Sequence, residues 1–228
     1  MTMANTERAY LPAAGHDWFL PLYDPLTRLL GADEARRILL DQAALQDATR
    51  VLDVGCGTGT LAVLISRQYP EVQVVGLDPD AKALARAVGK ARRARAPIQF
   101  DQGFADALPY PDGWFDRVLS SMMFHHVAFQ DRPAVLREIL RVLRPGGRLE
   151  MLDFAGPQEN GGFIARMVHS HHQLKDNAEH KILSLMTDTG FREVRLVQQR
   201  GFLFGRVAYY QATRTQTRLQ LSAHGLQH

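Results

Sequence analysis

The stretch Asp53-Val54-Gly55-Cys56-Gly57-Thr58-Gly59 decides the fold. It continues the apolar run Val51-Leu52, which reads as a short buried strand cut off by Gly55. It leads into Thr58 to Gln68, where Leu61, Leu64 and Ile65 fall on one helical face. Three alternating glycines between a strand and a helix have one strong physical use. Without Cβ atoms the backbone turns sharply and lets a ligand approach its N–H groups, while the helix presents its positive end.

Two ligand classes suit such a loop. A dinucleotide needs Gly-x-Gly-x-x-Gly, and Thr60 stands where the third glycine would be. An aminoacyl-nucleoside carries no phosphate, and an acidic residue before the loop can attract its ammonium group. Asp53 occupies that position, where it would repel a pyrophosphate. Val72 to Leu77 reads as a second strand ending at Asp78-Pro79, 19 residues after Gly59. A carboxylate there can accept from both ribose hydroxyls, which either ligand would use.

Outward from this core, Asp80 can cap a helix running to about Arg95. Ile98–Asp101, Phe115–Ser120 and Arg148–Phe154 read as strands, and Pro133–Leu143 as a helix stopped by Arg144-Pro145-Gly146-Gly147. Glu193–Gln199 and Val207–Thr213 form a hairpin across Gly201 to Gly205. The fold class is therefore α/β, a doubly wound, seven-stranded and mostly parallel sheet. The last hairpin makes one strand antiparallel, and a helical cap precedes the sheet. Residues 1–47 form the cap or lid, 48–155 the ligand-binding α/β core, and 156–190 a helical insertion over the site. Residues 191–213 form the hairpin and 214–228 a polar tail.

The 228 residues, 46% apolar and 22% charged, suffice for a sizeable core and argue against disorder. One cysteine, Cys56, excludes an internal disulfide framework, and no run is long and apolar enough to span a membrane. With no leader of signal-peptide type, a cytoplasmic location is expected. The net charge of +3 is small, and the run Lys90 to Arg95 reads as a solvated helix face rather than a nucleic-acid patch.

Five segments together resemble the class I S-adenosylmethionine-dependent methyltransferases. They are Val51 to Ala62, Val74 to Asp80, Gly103 to Pro111, Phe115 to Val127 and Leu140 to Gly147. Tyr23-Asp24 further resembles the N-terminal segment of the ubiquinone and menaquinone C-methylation enzymes, which closes over the cofactor. The resemblance implies S-adenosyl-L-methionine as cofactor. It implies contacts from Tyr23, Asp53, Gly55, Cys56, Gly57, Asp78, Pro79, Asp106, Ala107, Ser121 and Met122. Asp106 and the Ala107 N–H would meet the adenine edge, and Cys56 is read as a small residue that fits. The function implied is methyl transfer to a small-molecule acceptor by in-line displacement. A nucleic-acid or protein acceptor is the alternative, against which stands the absence of an amino-directed signature at Ser120 to Met123. The oligomeric state, monomer or homodimer, is left open.

Six histidines fall where a lid or pocket is expected: His16, His126, His169, His171, His172 and His180, with His125 beside them. Trp18 and Phe19 either pack in the cap or wall the acceptor pocket. A metal held by these imidazoles and Asp17 is chemically possible, but none is expected. If the acceptor is a hydroxyl or an acidic carbon, His126, His16 or His172 is the candidate general base.

Overall fold

Val51, Leu52 and Val54 are fully buried because β1 (Arg50–Val54) runs through the middle of the sheet. The structure, a computed structural model, describes residues 31–155, 179–203 and 205–216. Its sheet has seven strands in the order β3-β2-β1-β4-β5-β7-β6. These are β2 (Gln73–Asp78), β3 (Ile98–Gln102), β4 (Phe115–Ser121), β5 (Leu143–Phe154), β6 (Arg192–Phe202) and β7 (Gly205–Thr213). The first five are parallel, and β7 runs antiparallel to both β5 and β6. The expected doubly wound sheet with its closing hairpin is thus present.

Helices cover both faces. On one lie α1 (Ala32–Ala43) and α2 (Thr60–Gln68), whose Leu39, Leu40, Leu61 and Ile65 pack with Val51, Leu119 and Tyr209. Next to α2 runs α3 (Ala81–Ala94), capped as expected: Asp80 accepts from the Lys82 and Ala83 N–H groups. On the other face α4 (Arg132–Val142) and α5 (Glu179–Thr189) bury Leu136, Ile139, Ile182 and Met186 against Val118 and Leu149. The described end of segment 156–190 is therefore a sheet-covering helix.

The largest departures from expectation are at β5 and in the closing hairpin. β5 begins at Leu143 rather than Arg148, so it contains Pro145-Gly146-Gly147. Phe115 pairs with Leu143 and Arg117 with Arg148, so the chain bulges between the two pairs. Glycine permits this: Gly146 has φ +76°, and a Cβ on Gly147 would lie 2.8 Å from the Arg144 carbonyl oxygen. The hairpin strands are also longer than read, with β6 running to Phe202 and β7 starting at Gly205.

Much of the Arg excess does structural work inside the molecule. Arg132 is 1% exposed and donates to the Val127 carbonyl, and Arg148 and Arg117 both donate to that of Ala43. No described helix is long and apolar enough to cross a membrane.

Candidate active site

The order of strands reverses between β1 and β4, so a crevice opens at their carboxyl ends, where open α/β sheets bind ligands. The glycine loop follows β1 into this crevice, and the turn Met122–His126 follows β4 into it. The two touch. A Cβ on Gly55 (φ +70°) would fall 2.1 Å from Met123 Cγ, so glycine is required there by Met123. Met122 itself takes a left-handed backbone, φ +58°, and its N–H donates to the Leu152 carbonyl.

The loop N–H groups are already engaged within the protein. Those of Gly55 and Cys56 donate to the Leu77 carbonyl at 2.8 and 3.0 Å, and that of Gly59 to Cys56. The Gly57 N–H donates to Asp78 Oδ2 at 2.8 Å. This corrects the expectation that a ligand would meet the loop through its N–H groups. A phosphate needs donors, and these four are taken. The room lies over Gly57, where an added Cβ would have no neighbour within 4 Å.

Asp53 lies near the end of β1, just before the loop, and is 1% exposed. It accepts the Ala62 N–H in the first turn of α2, but its Oδ2 has no hydrogen-bond partner among the described residues. Burial pushes its pKa up to about 7, Arg36 pulls the other way, and Asp78 adds to the rise. In register β1 pairs Asp53 with Leu119, which puts Ser121, two residues on, on the same face as Asp53. Ser121 Oγ is a second buried polar atom with no described partner. Two such atoms at one crevice mark a place for a polar ligand.

Asp78 does more than the sequence suggested. Besides Gly57, it accepts the Asp80 N–H at 2.9 Å, so one carboxylate ties the glycine loop to the start of α3. Burial raises its pKa, although these two N–H donors oppose the rise. Cys56 is buried; burial foremost pushes its thiol pKa up, which fits a packing role rather than a nucleophile. Lys90 staples the outer side of the loop, donating to Thr58 and Thr60 Oγ1. Pro79 accepts from the Gln102 side-chain amide through its carbonyl.

Asp106 and Ala107 sit in the turn after β3, and the Ala107 N–H donates weakly, at 3.2 Å, to the Phe104 carbonyl. Arg141 of α4 holds this segment, donating to the Leu108 and Tyr110 carbonyls and to Asp112 and Glu138; Glu138 accepts the Leu108 N–H. Sequence reasoning missed Arg141, Lys90 and Met123, whose partners are distant in the chain.

Of the histidines, His125 and His126 lie on the turn after β4, with ring centroids 4.0 Å apart. His180 is exposed on α5. Tyr23, His16 and His172, with Asp17, Trp18, Phe19, His169 and His171, lie outside the described residues.

Comparison with known proteins agrees with this geometry. A family model described as a methyltransferase domain matches residues 51–147. A demethylmenaquinone methyltransferase from Thermus thermophilus is 40% identical over 151 residues, covering 64% of this chain and 68% of that protein. A ubiquinone/menaquinone biosynthesis C-methyltransferase from Syntrophotalea carbinolica is 32% identical over 204 residues, 78% of this chain and 85% of that one. The crystal structure of the YcgJ protein from Bacillus subtilis shares the fold, with TM-score 0.68 at 17% identity over 81% of this chain and all of that one.

Fold and crevice thus define an enzyme that transfers a methyl group from S-adenosyl-L-methionine. The chain belongs to the class I S-adenosylmethionine-dependent methyltransferases, near the ubiquinone and menaquinone biosynthesis group, and acts on a small-molecule acceptor.

Proposed function

We propose that the chain methylates a ring carbon of a demethylated quinol. The names of the two relatives support the acceptor: one is a demethylmenaquinone methyltransferase and the other a C-methyltransferase of ubiquinone/menaquinone biosynthesis. The observation that carries the cofactor site is the Asp53 carboxylate, buried beside an open glycine loop with one oxygen unpartnered. It fits an ammonium group and does not fit a diphosphate.

In this reading Asp53 and the backbone carbonyls of Gly55, Cys56 and Gly57 hold the amino-acid end of the cofactor. Asp78 and Pro79 take the ribose; each Asp78 oxygen keeps a lone pair beyond its backbone bond. Asp106 and Ala107 take the adenine, Ser121 and Met122 line the sulfur side, and Tyr23 closes the site. When bound, S-adenosylmethionine supplies a methyl group already activated by the sulfonium charge. The protein's task is to hold the acceptor in line, exclude water and manage a proton. A cytoplasmic location belongs to the same proposal, supported by a single, buried cysteine.

Titration calorimetry with S-adenosylhomocysteine tests the site: binding in the micromolar range, weakened at least about a hundredfold by Asp53→Asn, is expected. Mass spectrometry of a demethylated naphthoquinol after turnover tests the acceptor, which should gain one methyl on carbon. No heat with S-adenosylhomocysteine alongside clear NAD binding overturns the reading.

A further inference from the structure

The turn after β4 carries a histidine held by a buried carboxylate. His125 Nδ1 lies 2.7 Å from Asp153 Oδ1, and the His125 backbone N–H donates to Oδ2 at 3.0 Å. Asp153, at the end of β5, is 0% exposed, and its Oδ1 also takes the Phe154 N–H at 2.7 Å. Burial pushes this carboxyl up, but His125 and the backbone donors outweigh burial and hold it below the usual carboxylate range. The His125 ring is further fixed by Phe154, edge-on at 4.8 Å, and by His126.

Pinning the turn to β5 needs only the backbone N–H on Oδ2. The side-chain bond adds something else. A carboxylate at Nδ1 favours the tautomer with the proton on Nδ1, which leaves Nε2 as a proton acceptor. The turn that carries the ring also walls the ligand crevice, since Met123, two residues earlier, packs on Gly55.

We infer that His125, oriented through Nδ1 by Asp153, accepts the proton of the acceptor's hydroxyl group at Nε2, with Asp153 as its positioning residue. This replaces His126 as the candidate base and rests on the quinol reading above. The O–H electron pair, delocalised onto the adjacent ring carbon, forms the new carbon–carbon bond, while the pair of the broken carbon–sulfur bond stays on sulfur. The ring carbon then loses its own proton as the oxygen regains one, and the net release is one proton.

Three variants of the full chain, His125→Gln, Asp153→Asn and His126→Gln, decide the matter. Each is measured for turnover of a reduced demethylated naphthoquinone and for S-adenosylhomocysteine binding. The imidazole nitrogen-15 shifts of the wild type and of Asp153→Asn are recorded beside them. His125→Gln should lower kcat by about 10²–10⁴-fold while product-cofactor affinity stays within about threefold. Asp153→Asn should lower kcat by at least about tenfold and convert His125 from a single Nδ1–H tautomer to a mixture. A kcat for His125→Gln within about threefold of the wild type overturns the inference, as does a larger loss from His126→Gln. So does a wild-type His125 protonated on Nε2 instead. That last readout needs neither cofactor nor acceptor. A wild type that binds no S-adenosylhomocysteine defeats the site reading instead.

Discussion

Asp78 Oδ2 accepts the Gly57 N–H at 2.8 Å across 21 positions of chain, so the carboxylate assigned to the ribose also shapes the glycine loop. Its other oxygen holds the Asp80 N–H. Removing the carboxylate orphans two backbone donors, one of them in the loop. Asp78→Ala should destabilise the chain by about 1–3 kcal/mol per orphaned group, read by denaturant titration. It should also weaken S-adenosylhomocysteine binding by more than lost ribose contacts explain. Asp78→Glu, with its carboxylate a methylene further out, should recover stability in part and binding very little.

Gly55 and Gly57 both have positive φ, yet they face different surroundings. Alanine at Gly57 meets open space, so its cost is the left-handed backbone alone, about 1–2 kcal/mol. Alanine at Gly55 meets Met123 Cγ and Cβ, at 2.1 and 2.7 Å. Cγ can leave only by a change of χ1, and Cβ, fixed on the main chain, cannot leave at all. Adding an overpacking cost of about 1–3 kcal/mol to the backbone cost makes Gly55→Ala the worse variant by thermal denaturation. Because Met123 precedes His125 by two residues, Gly55→Ala should also lower kcat, whereas Gly57→Ala should act mainly on cofactor affinity.

The glycine loop, the sheet and the Asp80 cap were legible because each rests on local chemistry: a backbone that favours glycine, an apolar run, a side chain reaching two residues on. Which of two adjacent histidines matters was not legible. The choice depends on Asp153, 28 residues away, and no spacing rule links them. The start of β5 was misread for a related reason. Pro145-Gly146-Gly147 has turn composition, but pairing of Leu143 with Phe115 draws it into a bulged strand. Nothing local singled out Arg141, since the carbonyls and the Asp112 carboxylate it binds come from a loop some thirty positions earlier.

Arg141 holds the segment that carries Asp106 and Ala107 through three contacts, two to the Leu108 and Tyr110 carbonyls and one to the Asp112 carboxylate, and it also bonds Glu138 on its own helix. Lysine keeps the charge but lacks the planar fork that makes these bonds together. Arg141→Lys should therefore loosen the adenine side of the crevice. Affinity for S-adenosylhomocysteine should fall by about tenfold to a hundredfold, while kcat at saturating cofactor stays near the wild-type value. A fall in kcat with affinity unchanged would show that this loop serves the acceptor side instead.

Asp53 gives the site a pH dependence whose sign follows from burial. Its folded pKa of about 7 lies above the ordinary 3.8, so the folded chain binds a proton that the unfolded chain releases. Stability from this group is complete below the ordinary value and is lost as pH rises towards 7, at about 1.4 kcal/mol for each unit between the two values. A ligand ammonium prefers the carboxylate form. Affinity for S-adenosylhomocysteine should therefore rise between pH 5.5 and 7, by up to about tenfold per unit, with proton release on binding. Calorimetry in two buffers of different ionisation heat measures that release. Asp53→Asn should abolish the pH dependence, weaken binding throughout, and raise the unfolding midpoint of the unliganded chain at pH 8. If Asp53→Asn instead lowers that midpoint and leaves affinity unchanged, the carboxylate serves only to cap α2 through Ala62.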